Sequence, residues 1–281
     1  LLILVVPLVG SSAVQSAGEV FKAEVLKKMD GAVASAIKRK RLPGGVLWLE
    51  RKGEVYQKAY GKRSTVPKSE SMTLDTIFDA ASLTKVVATT PCVLKLIEDG
   101  RIGLEDKVTR YLPELIGDDN KSAITIRHLM THTSGLMAGV RRGYQWQGYA
   151  RGIALATSES SSNVAGKYYR YSDINFILLG EIVQRVTKES LAQFAGTQVF
   201  QPLKMTDSGF LPAATFRPRI APTTRMEDGS VLRGTVHDPT SRAMGGVAGH
   251  AGLFTTAHDL ARYARMILNG GELEGVRILK R

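Results

Sequence analysis

Ser82-Leu83-Thr84-Lys85 sets a hydroxyl and an amine three residues apart, which on a helix puts both on one face. A serine hydroxyl is a weak nucleophile until a neighbouring base takes its proton. A lysine one turn away can be that base where burial favours the amine over the ammonium. A serine in a first turn also has the positive end of the helix dipole beside it. The second cluster, Tyr171-Ser172-Asp173, opens the apolar helix pattern Ile174 to Val186. A phenol beside an ammonium can pass a proton to a leaving group. Taken singly, each motif has a plain structural reading. Ser-x-x-Lys is common, and an aromatic at a helix entrance usually packs on the core.

In this order and at this separation, the two motifs resemble the serine β-lactamase and DD-peptidase superfamily, above all class C β-lactamases and their esterase-like relatives. The resemblance runs through nearly the whole chain. It includes Ala81 to Lys85, Gly100-Arg101-Ile102-Gly103-Leu104-Glu105-Asp106, Tyr111-Leu112-Pro113, the string Ile124 to Leu136 that contains His132-Thr133-Ser134-Gly135, the Tyr171 block, and Gly252-Leu253-Phe254-Thr255-Thr256-Ala257. It implies an α/β (α+β) fold of the β-lactamase/transpeptidase kind: an antiparallel sheet flanked by helices, an all-helical region, and an active site between them. It implies Ser82 as the acylated nucleophile, Lys85 as proton acceptor and Tyr171 as relay toward the leaving group. The Ser82 N–H would be one donor of the oxyanion hole.

Asp173 stands where class C β-lactamases usually carry Asn, and an ionised carboxylate cannot donate a hydrogen bond to a substrate amide. That points away from efficient β-lactam hydrolysis and leaves ester and peptide carbonyls open. The family's third motif is Lys or His, a small residue, then Gly, on a strand downstream of the helix matching Ala257 to Leu268. His250-Ala251-Gly252 has those letters but precedes that helix. We read it as a coincidence of letters, with His250 kept as a substrate-binding candidate lining the cleft. The missing strand would supply the second oxyanion donor, and losing one such donor typically costs about 10²–10³ in rate. With the sequence ending at Arg281, the expectation is a fragment, incomplete at both ends.

The supporting elements follow from pattern. Phe21 to Lys40 has apolar residues at helical spacing and stops at Pro43-Gly44-Gly45. Val46 to Glu50 and Glu54 to Tyr60 read as a hairpin turning at Lys52-Gly53. Ser82 to Glu98 reads as a helix kinked by Pro91. Ile126 to Thr131 is a short helix with Thr125 as N-cap, and Ser190 to Val199 is another helix pattern. Leu211 to Pro239 is irregular. Ala257 to Leu268 closes the series, capped by Thr256 and Asp259 and stopped at Gly270-Gly271. The organisation expected is a signal-peptide remnant over residues 1–17, then one domain over 18–281. Within it, 18–80 and 240–281 form the α/β part and 81–239 the helical part.

The other signals are weaker. His128 and His132 lie four apart, on one helix face, but the metalloprotease signature needs Glu directly after the first His, and Leu129 stands there. Both read as structural hydrogen-bonding histidines. The glycine-rich stretch Gly245 to Gly252 lacks the Gly-Lys-Ser/Thr ending of a phosphate loop and reads as a flexible loop. Asp118-Asp119 reads as a solvated turn. Tyr144, Trp146 and Tyr149 read as cleft lining or as packing of an inserted loop. Cys92 stands alone, so disulfides and cysteine metal sites are excluded. No cofactor or metal is implied. The net charge of +12 comes from scattered residues, with only Lys38 to Arg41 as a run. No basic stripe with interleaved aromatics exists, which argues against nucleic acid, and anionic cell-wall polymer is the better partner for the charge. Leu1 to Val9 followed by Gly10-Ser11-Ser12-Ala13 resembles the core and cleavage zone of a signal peptide, too short to span a bilayer. Export to a periplasmic or extracellular location is expected, without a stable membrane span.

The function expected is hydrolysis of a β-lactam, ester or D-amino-acid peptide carbonyl through an acyl-serine, with a small-molecule or peptidoglycan-derived peptide substrate. The alternatives are a non-catalytic module that holds cell-wall peptide, and acyl transfer to an amine.

Overall fold

A computed structural model describes residues 20–141 and 145–281. The signal-peptide reading of residues 1–17 and Tyr144 of the aromatic cluster lie outside the described residues.

Helix α1 (Ala23–Lys38) leads into the hairpin of β1 (Gly44–Arg51) and β2 (Glu54–Ser64), paired from Gly44 opposite Gly61 to Arg51 opposite Glu54. Lys52 and Gly53 both take positive φ, +51° and +81°, the backbone of a two-residue turn whose twist matches the strands. The short β3 (Glu70–Ser71) pairs with β2, and the outer edge of β1 has no strand partner among the described residues. No residue of α1 is fully buried. A half-buried apolar face and one carboxylate hold it: Asp30 accepts hydrogen bonds from Tyr56 Oη (2.7 Å) and Tyr60 Oη (2.5 Å) and pairs with Lys58.

Beyond β4 (Phe78–Asp79) the chain becomes helical. A π-helical turn, Lys85–Thr89, runs into α2 (Thr90–Glu98). Then follow α3 (Asp119–Ser122), α4 (Ile126–Met130), α5 (Tyr149–Ser158), α6 (Asp173–Thr187) and α7 (Leu191–Ala195). Helix α6 buries Ile174, Phe176, Ile177, Leu178, Leu179, Ile182 and Val183, so it is apolar on every side, as an enclosed helix must be. Helices α2, α4, α5 and α7 pack around it.

The chain continues through β5 (Gly209–Phe210), β6 (Thr224–Arg225), β7 (Val231–Leu232), α8 (Pro239–Ala243), β8 (Leu253–Thr255) and α9 (Ala257–Leu268). The hairpin of β9 (Glu272–Leu273) and β10 (Val276–Arg277) comes last. Strands β4, β8 and β5 form a small antiparallel sheet in that order. Helix α9 packs on β1, with Trp48 edge-on to His258 at 5.6 Å. The fold is thus mixed, with antiparallel strands, flanking helices and a helical body. No helix among the described residues is long and apolar enough to cross a membrane.

Three expectations change here. The helix expected to run from Ser82 to Glu98 instead widens into a π turn just before Pro91. Thr90 N–H reaches back to Lys85 O, and in that register Val86 O would face the Pro91 nitrogen, which has no hydrogen. The Tyr263 hydroxyl on α9 donates to Val86 O instead, at 2.6 Å. Tyr171 does not open α6, since Ser172 is the N-cap and accepts Asn175 N–H. His128 and His132 do not share a helix face, because α4 ends at Met130 and His132 lies beyond it at φ +57°.

Candidate active site

Ser82 is delivered by a strained connection. The Ala80 N–H donates to Leu253 O across the β4–β8 pairing (2.8 Å), and Ala81 then adopts φ +46°, a region an L residue with a side chain enters at a cost. Asp79 fixes the turn by accepting the Ala81 N–H (2.9 Å) and the His237 N–H (2.7 Å). Thr84 Oγ1 completes the brace, donating to Ala81 O (2.7 Å) and accepting Leu253 N–H (3.1 Å). The result is an exposed Ser82 at the head of the helix. Its backbone N–H has no acceptor among the described residues.

Lys85 sits one turn below with its side chain 3% exposed. Its Nζ is 3.0 Å from Ser82 Oγ, 3.1 Å from His250 O and 2.8 Å from Asp173 Oδ1. Three acceptors thus face the three N–H bonds of an ammonium. Tyr171 lies above, its ring centroid 4.8 Å from Nζ and its side chain 43% exposed. The hydroxyl of Tyr171 has no partner among the described residues. Asp173, the first residue of α6 and a substrate-contact candidate from the sequence, pairs with the lysine, a contact that its sequence neighbours do not announce.

His250 contributes its carbonyl rather than its ring. The imidazole is 1% exposed and its Nε2 lies 2.9 Å from Asp238 Oδ1. It is not among the residues lining the cleft. The loop expected to be flexible is instead buried and bonded. Gly249 O accepts Thr89 Oγ1–H (2.7 Å), Ala251 O accepts Ser241 Oγ–H (2.8 Å), and Ala248 bridges Ala251. Gly249 lies so close to α6 that a Cβ there would stand 1.9 Å from Phe176 O.

Burial alone would raise the Asp238 carboxyl. The His250 ring and the N–H groups of Ser241 and Thr240 outweigh it and hold the group at about 2, against an ordinary 3.8. A carboxyl held low in the folded state stabilises the protein above its unfolded value, and that contribution is lost as pH falls toward the folded one. Asp238→Asn should therefore lower the urea midpoint most near about pH 5, with the deficit narrowing toward about pH 3. A deficit constant across that window would refute the pairing.

Asp173, Asp238 and His250 bring three donor atoms within 4.8 Å of one another. Lys85 and the imidazole already engage the two carboxylates, so their oxygens are bonded within the cluster. A cleft of about 1130 Å³ opens in front of Ser82, between the hairpin and α6. Val46, Leu47, Phe78, Leu83 and Phe176 give it apolar walls, and Ser82, Lys85, His132 and Tyr171 give it a polar end. His132, expected to be a structural hydrogen-bonding histidine, is one, accepting from Ser172 N–H, and it also lines this end of the cleft.

The model of the Beta-lactamase family matches residues 29–281. An Escherichia coli (strain K12) protein assigned provisionally as a D-alanyl-D-alanine carboxypeptidase is 27% identical over 97% of this chain and 70% of its own length. The N-acetylmuramyl-L-alanine amidase of Bacillus subtilis (strain 168) is 30% identical over 92% of this chain and 66% of its own. Among solved structures, EstCE1, a hydrolase with promiscuous acyltransferase activity, superposes with TM-score 0.74 at 24% identity, covering 91% of this chain and 74% of that one. A class C β-lactamase does so with TM-score 0.74 at 22% identity, covering 90% and 66%. The chain therefore spans about two thirds to three quarters of the length of these relatives.

Proposed function

Because the chain belongs to the Beta-lactamase family of serine hydrolases, we propose that it cleaves a carbonyl substrate through an acyl-enzyme on Ser82. The observation that carries this reading is the buried Lys85 Nζ at 3.0 Å from an exposed Ser82 Oγ.

The lysine must enter the cycle as a neutral amine. It then keeps two N–H bonds for His250 O and Asp173, and its lone pair faces Ser82, so the same 3.0 Å contact runs from Ser82 O–H to Nζ. Ser82 Oγ attacks the carbonyl carbon as its proton moves to Lys85. The Ser82 N–H stabilises the oxyanion. Tyr171 passes the proton to the leaving group, and water later releases the acyl group from Ser82.

For the substrate we favour an ester or a cell-wall peptide over a β-lactam. Asp173 as a carboxylate on Lys85 cannot donate to a substrate amide, and the two curated relatives carry names of cell-wall enzymes. An exported location and attraction to anionic wall polymer, through the +12 charge, belong to the same proposal. A second reading, a non-catalytic wall-peptide binder, draws on the Asp173–Lys85 contact at 2.8 Å, which engages the amine that acylation needs.

Intact mass measurement after exposure to a fluorophosphonate or a fluorescent penicillin separates the two. The hydrolase reading expects one covalent adduct, mapped to the peptide carrying Ser82. Reversible binding without an adduct at any time would establish the binding module instead.

A further inference from the structure

Beside Tyr171 lies a residue to which the proposed mechanism gives no part. His132 is non-glycine at φ +57°, and strained backbone of this kind persists only where its surroundings over-determine it. Here they do. The His132 N–H donates to Leu129 O, and its carbonyl accepts Arg170 N–H at 2.8 Å. The ring is 9% exposed and lines the cleft.

Two donors converge on one ring nitrogen. Ser172 N–H points at Nδ1 from 3.1 Å, and Asn175 Nδ2 from 3.3 Å. The amide of Asn175 is fixed in that sense because Ser134 Oγ–H donates to its Oδ1 (2.5 Å), while Ser134 Oγ accepts Leu136 N–H (3.1 Å). Nδ1 is therefore the unprotonated nitrogen, and the neutral ring carries its hydrogen on Nε2. The ring face meets the Tyr171 phenol at 4.5 Å between centroids, tilted by 32°. Tyr171 in turn lies over Lys85.

We propose that His132 is a positioning residue for Tyr171, holding the phenol over Lys85 only while the imidazole is neutral. A proton on Nδ1 would face two N–H donors head-on, so the ring would have to leave Ser172, and with it the Tyr171 stack. The charged groups facing the ring are Lys85 from the Ser82 helix and Asp173 from α6. Its other neighbours are Tyr169 and Tyr171 from the preceding loop and Asn175 and Phe176 from α6. Burial disfavours the charged ring, Lys85 disfavours it further, and Asp173 opposes them. The balance lowers the ring from its ordinary 6.5. The site therefore stays assembled at neutral pH and comes apart on the acid side of that value.

This inference rests on Tyr171 acting in acyl transfer, so its test is made separable from that reading. Asn at position 132 tolerates positive φ and keeps an oxygen for Ser172 N–H, but it has neither ring face nor titration. His132→Asn should lower the neutral-pH rate of fluorophosphonate acylation about tenfold, the scale of one aromatic stack. It should also alter the acid limb of the pH profile, leaving only the part that Lys85 itself contributes. An unchanged rate together with an unchanged acid limb would overturn the proposal while leaving Ser82 labelling intact. Nitrogen NMR of the imidazole in the unsubstituted protein gives a second readout independent of activity and of the variant's folding. A bare Nδ1 at neutral pH is expected, and a protonated Nδ1 would overturn the proposal even if Ser82 never labels.

Discussion

Lys85→Met is expected to slow acylation of Ser82 by about 10²–10⁴-fold, the range for removing a positioned proton acceptor. Methionine keeps an unbranched side chain of similar length and fits a site that is 3% exposed, so the loss isolates the amine. The substitution also removes all three contacts of Nζ, leaving Asp173 without its ammonium and His250 O without a donor. Asp173 is 35% exposed and can regain water, which limits the stability cost. Stopped-flow acylation and urea unfolding should therefore part company, with a large kinetic effect and a small shift in midpoint. A rate within a factor of about three of the parent would exclude Lys85 as proton acceptor. Equal losses in rate and midpoint would make the lysine structural.

Gly249→Ala is expected to cost stability and acylation together. Its Cβ would lie 1.9 Å from Phe176 O and 3.0 Å from Gly180 N. Both are backbone atoms of α6, so no side-chain rotation relieves the overlap. Overpacking of a rigid interior typically costs about 1–3 kcal/mol, and the relief available here is for the 248–251 turn to move off α6. That movement would carry away Gly249 O from Thr89 and His250 O from Lys85, so acylation should fall together with stability. Gly180→Ala meets the same interface less severely, with its nearest contact at 3.0 Å, and should show a smaller loss of both. Thermal unfolding and acylation of the two variants side by side would decide the point. A Gly249→Ala protein of unchanged stability would mean that the turn does not sit where the geometry places it.

These effects show why reading of the sequence reached some parts of the site and missed others. Ser82 and Lys85 were legible because one helical turn joins them, and a turn is a local object with a fixed period. The same holds for the Lys52-Gly53 hairpin, the Thr125 and Thr256 caps, and the Ala257–Leu268 helix, which the structure reproduces. Each depends on residues a few positions apart. The π turn before Pro91 is not legible in the sequence, because the hydrogen bond that satisfies Val86 O comes from Tyr263, far along the chain. The Asp173–Lys85 contact is not legible in the sequence because nothing near Asp173 tells of Lys85.

The glycine-rich stretch before β8 marks the limit most clearly. Its composition is that of a mobile loop, and composition does not record what lies opposite. In the fold, Gly249 is pressed against α6 and His250 is clamped by Asp238, which makes the stretch a rigid cradle for the lysine. The amino-acid sequence by itself determined the family, the mixed fold, and the paired serine and lysine, since motifs and periodicities are short-range. Only the tertiary structure decided the surroundings of the lysine. These are the Asp173 ion pair, the His250 carbonyl and the His132–Tyr171 stack. They arise where segments distant in sequence pack together, and close packing selects such contacts by shape and by hydrogen-bond satisfaction rather than by spacing along the chain.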